Sequence, residues 1–255
     1  MGLNDKLQAS ASLDIPFSRN CWTNAKTTKG EKIGILTGIL YLAPAKISGF
    51  EVCPKRSEGC TKGCLYSAGH GAFSNVQQGR INKTLYYFND RPKFLAELRN
   101  DIKKLVKKAK AQGMQAAVRL NGTSDINWIA SGIFQEFPDV YFYDYTKVYN
   151  RLLKPLPPNY SLTFSKSESN ASECLSALKL GFNISVVFNT KKGEALPEFW
   201  EGYPVYDGDE TDARFLDPVG GYVIGLRAKG QARKDTSGFV VDVAKFADIL
   251  ALEVN

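Results

Sequence analysis

Three cysteines and the chain's one histidine fall within a single stretch, CPKRSEGCTKGCLYSAGH, from Cys53 to His70. The thiols are spaced C-x6-C-x3-C, and five residues separate Cys64 from His70. Gly59, Gly63 and Gly69 interleave them, and glycine lets a backbone turn tightly around a small inorganic centre. Two metal chemistries suit this donor set. Three thiolates on one loop can hold a 4Fe-4S cluster with one iron left open to a small molecule. Adding His70 would close a Cys3His zinc site instead. Unrelated buried thiols are the plain alternative, but thiols of that kind do not usually crowd into a polar, glycine-rich loop. The expected metal ligands are Cys53, Cys60 and Cys64, with His70 as the candidate fourth.

Other reactive groups collect in short polar runs. RLNGTSDINW, residues 119–128, offers in its first seven positions a guanidinium, an amide, two hydroxyls and a carboxylate around one glycine. Helix capping by Ser124 or Asp125 would use one of these groups, not five. DYTK (Asp144–Lys147) and SKS (Ser165–Ser167) add two lysines and two serines. DGDETD carries Asp207, Asp209, Glu210 and Asp212, an oxygen-rich run of the kind hard cations favour. It lacks the full calcium-loop spacing, and an ordinary surface turn would read the same way. Asp125, Lys147 and Asp207 are the catalytic candidates. Asn121, Ser124, Ser165 and Asp209 are the candidates for holding a cofactor. P-loop, HExxH and GxSxG patterns do not occur. With one histidine, a Ser-His-Asp or Cys-His mechanism would have to run through His70, and the thiols around it argue against that.

The elements that would position these groups can be read from periodicity. Residues 32–42, KIGILTGILYL, are apolar and suit a buried strand before the cysteine loop. Apolar runs at Met114–Leu120, Val140–Tyr143, Tyr160–Phe164, Ile184–Phe188, Tyr203–Tyr206 and Tyr222–Leu226 each lead into a polar turn. Helical segments fit at Ser74–Gly113, Asn127–Phe137, Val148–Leu153 and Asn170–Leu180. Asp90 and Pro92 mark a break and a new start within the first of these. After them Leu95, Leu98, Ile102, Leu105 and Ala109 form one apolar stripe, and Gly113 closes the helix. Lys103, Lys104, Lys107, Lys108 and Lys110 cover the other side, the pattern of a solvated face or of a nucleic-acid surface. Strand, polar turn, helix, repeated, is the order of a parallel α/β fold. About seven strands favour a partial or complete parallel β/α barrel of six to eight strands over a small open sheet. The polar turns and the cysteine loop would then share one mouth. Residues 1–31 read as an arm or extension, and 32–255 as a single barrel-like domain with its metal-binding loop at 53–70.

Composition limits the class. The chain has 255 residues, 44% of them apolar, which suits a globular core. No apolar run approaches the ~20 residues of a membrane helix. The start, MGLNDKLQAS, lacks a secretory pattern, so a reducing cytoplasm is expected, where clustered thiols mean metal or catalysis rather than disulfides. Cys21 and Cys174 stand alone and read as packing. A net charge of +7 permits an anionic partner, a nucleotide or nucleic acid.

The run CPKRSEGCTKGC, RLNGTSDI, YDYTK, LTFSKSESN, ISVVFNT, DGDETDARFLDP and VIGLRAKG resembles, from about residue 34 to 242, the bacteriophage family often called gene product 88. The resemblance implies a phage origin and a place in the host cytoplasm. A three-cysteine loop after the first strand of a partial barrel also resembles the radical S-adenosylmethionine enzymes, whose usual spacing is C-x3-C-x2-C. That resemblance implies a 4Fe-4S cluster and S-adenosylmethionine. The expected function is an iron–sulfur enzyme of this type acting on a nucleotide or nucleic acid. The alternatives are a nucleic-acid-binding protein propped by zinc, and a magnesium-dependent nuclease or phosphoesterase built on Asp207, Asp209 and Asp212.

Overall fold

The computed structural model describes residues 29–244. The expected arm at 1–31 and Cys21 lie largely or wholly outside these residues. The described chain divides into two compact units. The first runs to Pro54 and adds His70–Asp144 and Leu156–Tyr160; the second comprises Lys55–Gly69, Tyr145–Pro155 and the chain from Ser161 onward.

The first unit holds β1 (Ile35–Ile39) and β2 (Gln115–Arg119), with most of β3 (Tyr141–Thr146). They pair in parallel in chain order, Leu36 opposite Ala116 and Val118 opposite Phe142. Every residue of β1 is buried, as is all of β2 after Gln115. Continuous burial, rather than alternation, is what a parallel strand covered on both faces requires.

Two consecutive helices supply one cover. We call them α2 (Ser74–Asn89) and α3 (Arg91–Ala111), after a short α1 (Glu58–Lys62) that belongs to the second unit. Asp90 caps α3 by accepting the Lys93 amide, Pro92 stands in its first turn, and Gly113 follows its end at φ +65°. The break and both signals fall where the sequence puts them. Phe94, Leu98, Ile102, Leu105 and Ala109 form the buried stripe. Leu95, expected in it, is only half-buried, because Phe94 takes the inward position one residue earlier. Lys103, Lys107 and Lys110 are exposed.

The second unit holds β4 (Tyr160–Ser165) from its second residue onward, β5 (Ile184–Phe188), β6 (Phe199–Trp200), β7 (Tyr203–Asp207), β8 (Val223–Arg227) and β9 (Val240–Val241). Here β5 is flanked by β4 and β8 and also pairs with β9. β7 joins β8 in parallel, and the two-residue β6 is antiparallel to β7. Thus β8 lies between β5 and β7, a crossover that a simple β/α barrel, with strands in chain order, does not contain. Phe164, Cys174, Leu178, Ile184, Val186, Phe188 and Val223 form its core. Each such side chain contributes about 1.5–3 kcal/mol when fully buried.

The fold is therefore α/β with mostly parallel strands. All seven strands read from the sequence form. β6 and β9 were not foreseen, since two residues carry no period. Between strands the helices are shorter than the pattern suggests. Asn127–Phe137 becomes a 3-10 turn at Ile129–Ser131 and a four-residue α4 (Ile133–Glu136), and Val148–Leu153 becomes a 3-10 turn at Tyr149–Arg151. Gly132, at φ +74°, separates the first two. By contrast α5 (Ala171–Lys179) lies within one residue of its expected ends.

Candidate functional site

In the first unit the turn after β2 is organised by Asn121. Its Oδ1 accepts from the Ser124 hydroxyl (2.9 Å), the Ile126 amide (2.9 Å) and the Trp128 indole (3.2 Å). Its Nδ2 donates to the Ile126 carbonyl (3.0 Å) and to Asp144 Oδ2 (3.2 Å), and its backbone amide donates to Asp144 Oδ1 (2.7 Å). An asparagine side chain has two donors and two lone pairs, so these bonds use it fully. Asn121 and Ser124, the candidates for holding a cofactor, are bonded to each other within the turn. Gly122 is required because a Cβ there would stand 2.7 Å from the Tyr41 ring and 2.8 Å from the Leu40 carbonyl.

Asp144, at the end of the first unit's share of β3, is wholly buried. Desolvation lifts its carboxyl to about 7, against the lowering pull of Arg119, the Asn121 amide and the Tyr160 hydroxyl. Nothing in the sequence separates it from the acids beside it, because its burial is a property of the packed sheet.

The same turn reaches the first cysteine. The Asp125 amide donates to the Val52 carbonyl at 2.7 Å, and the Cys53 thiol makes a weak contact with the Thr123 carbonyl at 3.8 Å. Cys53 therefore stands beside the NGTSD turn, which follows β2. His70 lies in a 3-10 turn, Gly69–Ala72, exposed, with its ring edge-on to Phe73 at 5.8 Å.

In the second unit Cys60 is the third residue of α1, and Cys64 follows its cap. Both are half-buried and outside any disulfide, as is Cys53, whereas Cys174 is buried. Burial pushes the Cys174 thiol up to about 12, which keeps it protonated and inert. The start of α1 is held by Glu168, a residue the sequence did not single out. Its Oε2 accepts from the Ser57 hydroxyl (2.6 Å) and its Oε1 from the Gly59 amide (2.7 Å). Ser57 in turn accepts from the Cys60 amide at 3.2 Å.

Two predicted residues meet after β4, where the Lys147 ammonium donates to Ser165 Oγ at 2.6 Å and to the Lys166 carbonyl at 3.1 Å. Lys147 also lies 5.4 Å over the Phe239 ring. Lys166 donates to the Gly238 carbonyl at 2.6 Å, and burial lowers its pKa. Asn170 occupies the cap position of α5 as expected. Its side chain, however, turns back to accept the Ser167 amide and donate to the Ser165 carbonyl.

The DGDETD turn is an ion-pair cluster. Arg227, from β8, donates to both Asp207 oxygens (3.0 and 2.9 Å) and to Asp209 Oδ2 (3.4 Å). Lys229 reaches Asp209 Oδ1 at 2.6 Å. Burial alone would raise the Asp209 pKa, but the bonds from Lys229 and Arg227 outweigh it and hold the carboxyl below its usual range. Asp212 contributes its carbonyl to the Arg214 amide at 3.0 Å. Arg214 and Asp217 form a buried pair at 3.4 Å, and desolvation leaves Asp217 near 6.

Among the described residues no group of three or more His, Cys, Asp or Glu side chains stands ready to hold a metal ion. Asp207 and Asp209 face cations of the protein itself.

These features define a class: a mostly parallel α/β protein whose cysteine loop and polar turns follow the strands. A family model described as gene product 88 matches residues 16–243, and the chain belongs to that family. Searches of curated proteins and of solved structures found no match. No described helix is long and apolar enough to cross a membrane.

Proposed function

We propose that this chain is an iron–sulfur protein of the radical S-adenosylmethionine type, acting on a nucleotide or nucleic acid in a phage-infected cell. One observation carries the reading: Cys53, Cys60 and Cys64, none of them in a disulfide, are half-exposed on a glycine-rich loop after β1, while Cys174 is sealed in a core. Partial exposure is the state a ligating or reactive thiol needs. Cys53, Cys60 and Cys64 would hold the cluster, and its binding would couple to the order of the loop, as metals do in many small sites. The cluster would supply an open iron for a small cosubstrate. Support for an anionic substrate comes from the net charge of +7 and the exposed Lys103, Lys107 and Lys110.

The zinc alternative needs His70, which is exposed and edge-on to Phe73. The magnesium alternative needs carboxylates that Arg227 and Lys229 already engage. Both are weaker for these reasons.

The test is iron and sulfide analysis of protein purified and reconstituted without oxygen. About four of each per chain, with absorbance near ~400 nm, is the expected result. The His70→Ala variant should retain both. Colourless protein holding one zinc, lost in His70→Ala, would overturn the reading.

A further inference from the structure

The structure assigns Glu168 as the positioning residue of the Cys60–Cys64 turn, a carboxylate that extends the N-cap of α1 from 111 residues beyond Ser57. The meaning of this tie for function rests on the reading of Cys60 and Cys64 as ligands; its geometry does not.

α1 has five residues, too few to stand alone. Its first amides need acceptors. Glu168 takes the Gly59 amide directly at 2.7 Å. It takes the Ser57 hydroxyl at 2.6 Å, and Ser57 Oγ accepts the Cys60 amide at 3.2 Å. One carboxylate thus governs two successive amides, the second belonging to Cys60. Bonds of this charge-assisted kind are about twice as strong as neutral ones. Burial would raise the Glu168 pKa, but the bonds from Ser57 and Gly59 hold it below its usual range, so it stays charged at neutral pH.

The surroundings press the same turn into place. A Cβ on Gly59 would stand 2.6 Å from Phe239 Cβ and 3.1 Å from Glu168 Oε1. One on Gly63 would meet the Ala232 methyl at 3.2 Å. Asp235 fixes the segment behind them by accepting from the Ser237 hydroxyl (2.6 Å) and the Val240 amide (3.0 Å). Lys166, two residues before Glu168, ties Gly238 of that segment. The SKSES run after β4 is therefore a bracket for the cysteine turn.

The experiment is site-resolved alkylation of the reduced, iron-free full chain by iodoacetamide, read by mass spectrometry. Glu168→Ala is expected to speed alkylation of Cys60 and Cys64 roughly tenfold, the effect of losing one charge-assisted bond. Cys174 should stay protected. Ser57→Ala should give a smaller acceleration, and the double variant should be no faster than Glu168→Ala, since both cut one chain of bonds. Glu168→Gln, which keeps one acceptor, should restore most of the native rate. Rates within twofold of native in Glu168→Ala, or strictly multiplicative effects in the double variant, would overturn the tie. If Glu168→Ala also uncovers Cys174, Ser57→Ala decides instead, and an unchanged Cys60 rate there overturns it. Iron content measured in parallel separates the two proposals. Native protein without iron, but with Glu168 governing the thiols, defeats the cluster alone. Iron bound alike by native and Glu168→Ala, with unchanged alkylation, defeats the tie alone.

Discussion

The turn after β2 and the turn after β7 look alike in sequence and behave differently in the fold. NGTSD and DGDETD are both short, polar and placed at strand ends. The first is closed by neutral bonds: Asn121 accepts three donors and gives two, all within its own unit. The second is closed by charge, with Arg227 and Lys229 brought from β8 and the turn after it. In each, the central residues, Asn121 in one and Asp207 and Asp209 in the other, are engaged by the protein's own groups. Polar density at a strand end thus marks where a turn must satisfy itself as often as where it receives a substrate. The cysteine loop differs from both, because its three thiols keep partial exposure.

That contrast can be broken most severely at Asn121. Replacing it by Ala would strand the buried Trp128 indole, the Ile126 amide and part of Asp144. The expected loss is about 3–5 kcal/mol, read from the denaturant midpoint at constant m-value. A loss below about 1 kcal/mol would show that the turn is not built on this residue.

Asp144 gives the next largest effect, and a pH signature. Desolvation holds its folded pKa near 7, against about 3.9 for an unfolded aspartate. Between these values the folded chain keeps the proton and the unfolded chain does not. Its contribution is therefore fully present below about pH 4 and is lost as pH rises through about 7. Native stability minus that of Asp144→Asn should fall by roughly 2–4 kcal/mol from pH 4 to pH 8. A difference that stays flat across that window rules this environment out.

The charged turn should be less costly to break. Arg227→Ala removes the guanidinium from Asp207 and Asp209, while Lys229 and the residue-227 amide still reach Asp209, an expected loss of roughly 2 kcal/mol. Lys229 is more than half exposed, so Lys229→Ala should cost about 0.5 kcal/mol and less at high salt. If added salt changes the Asn121→Ala penalty as much as the Lys229→Ala penalty, the neutral and charged turns are not distinct.

Local chemistry alone determined a good part of this protein. The seven longer strands, the break at Asp90, the cap of α3 and the glycine after it follow from nearest neighbours and period, because hydrophobic alternation and capping act over a few residues. The spacing of Cys53, Cys60 and Cys64 is likewise covalent. Only the tertiary structure decided that β8 enters between β5 and β7, that Arg227 neutralises Asp207 and Asp209, that Asp144 is sealed from water, and that Glu168 takes the amide of Gly59. Each of these pairs residues far apart in the chain or depends on what packs above the sheet. Hydrogen-bonding groups are promiscuous in kind, and which partner each one finds is settled by where the backbone brings it.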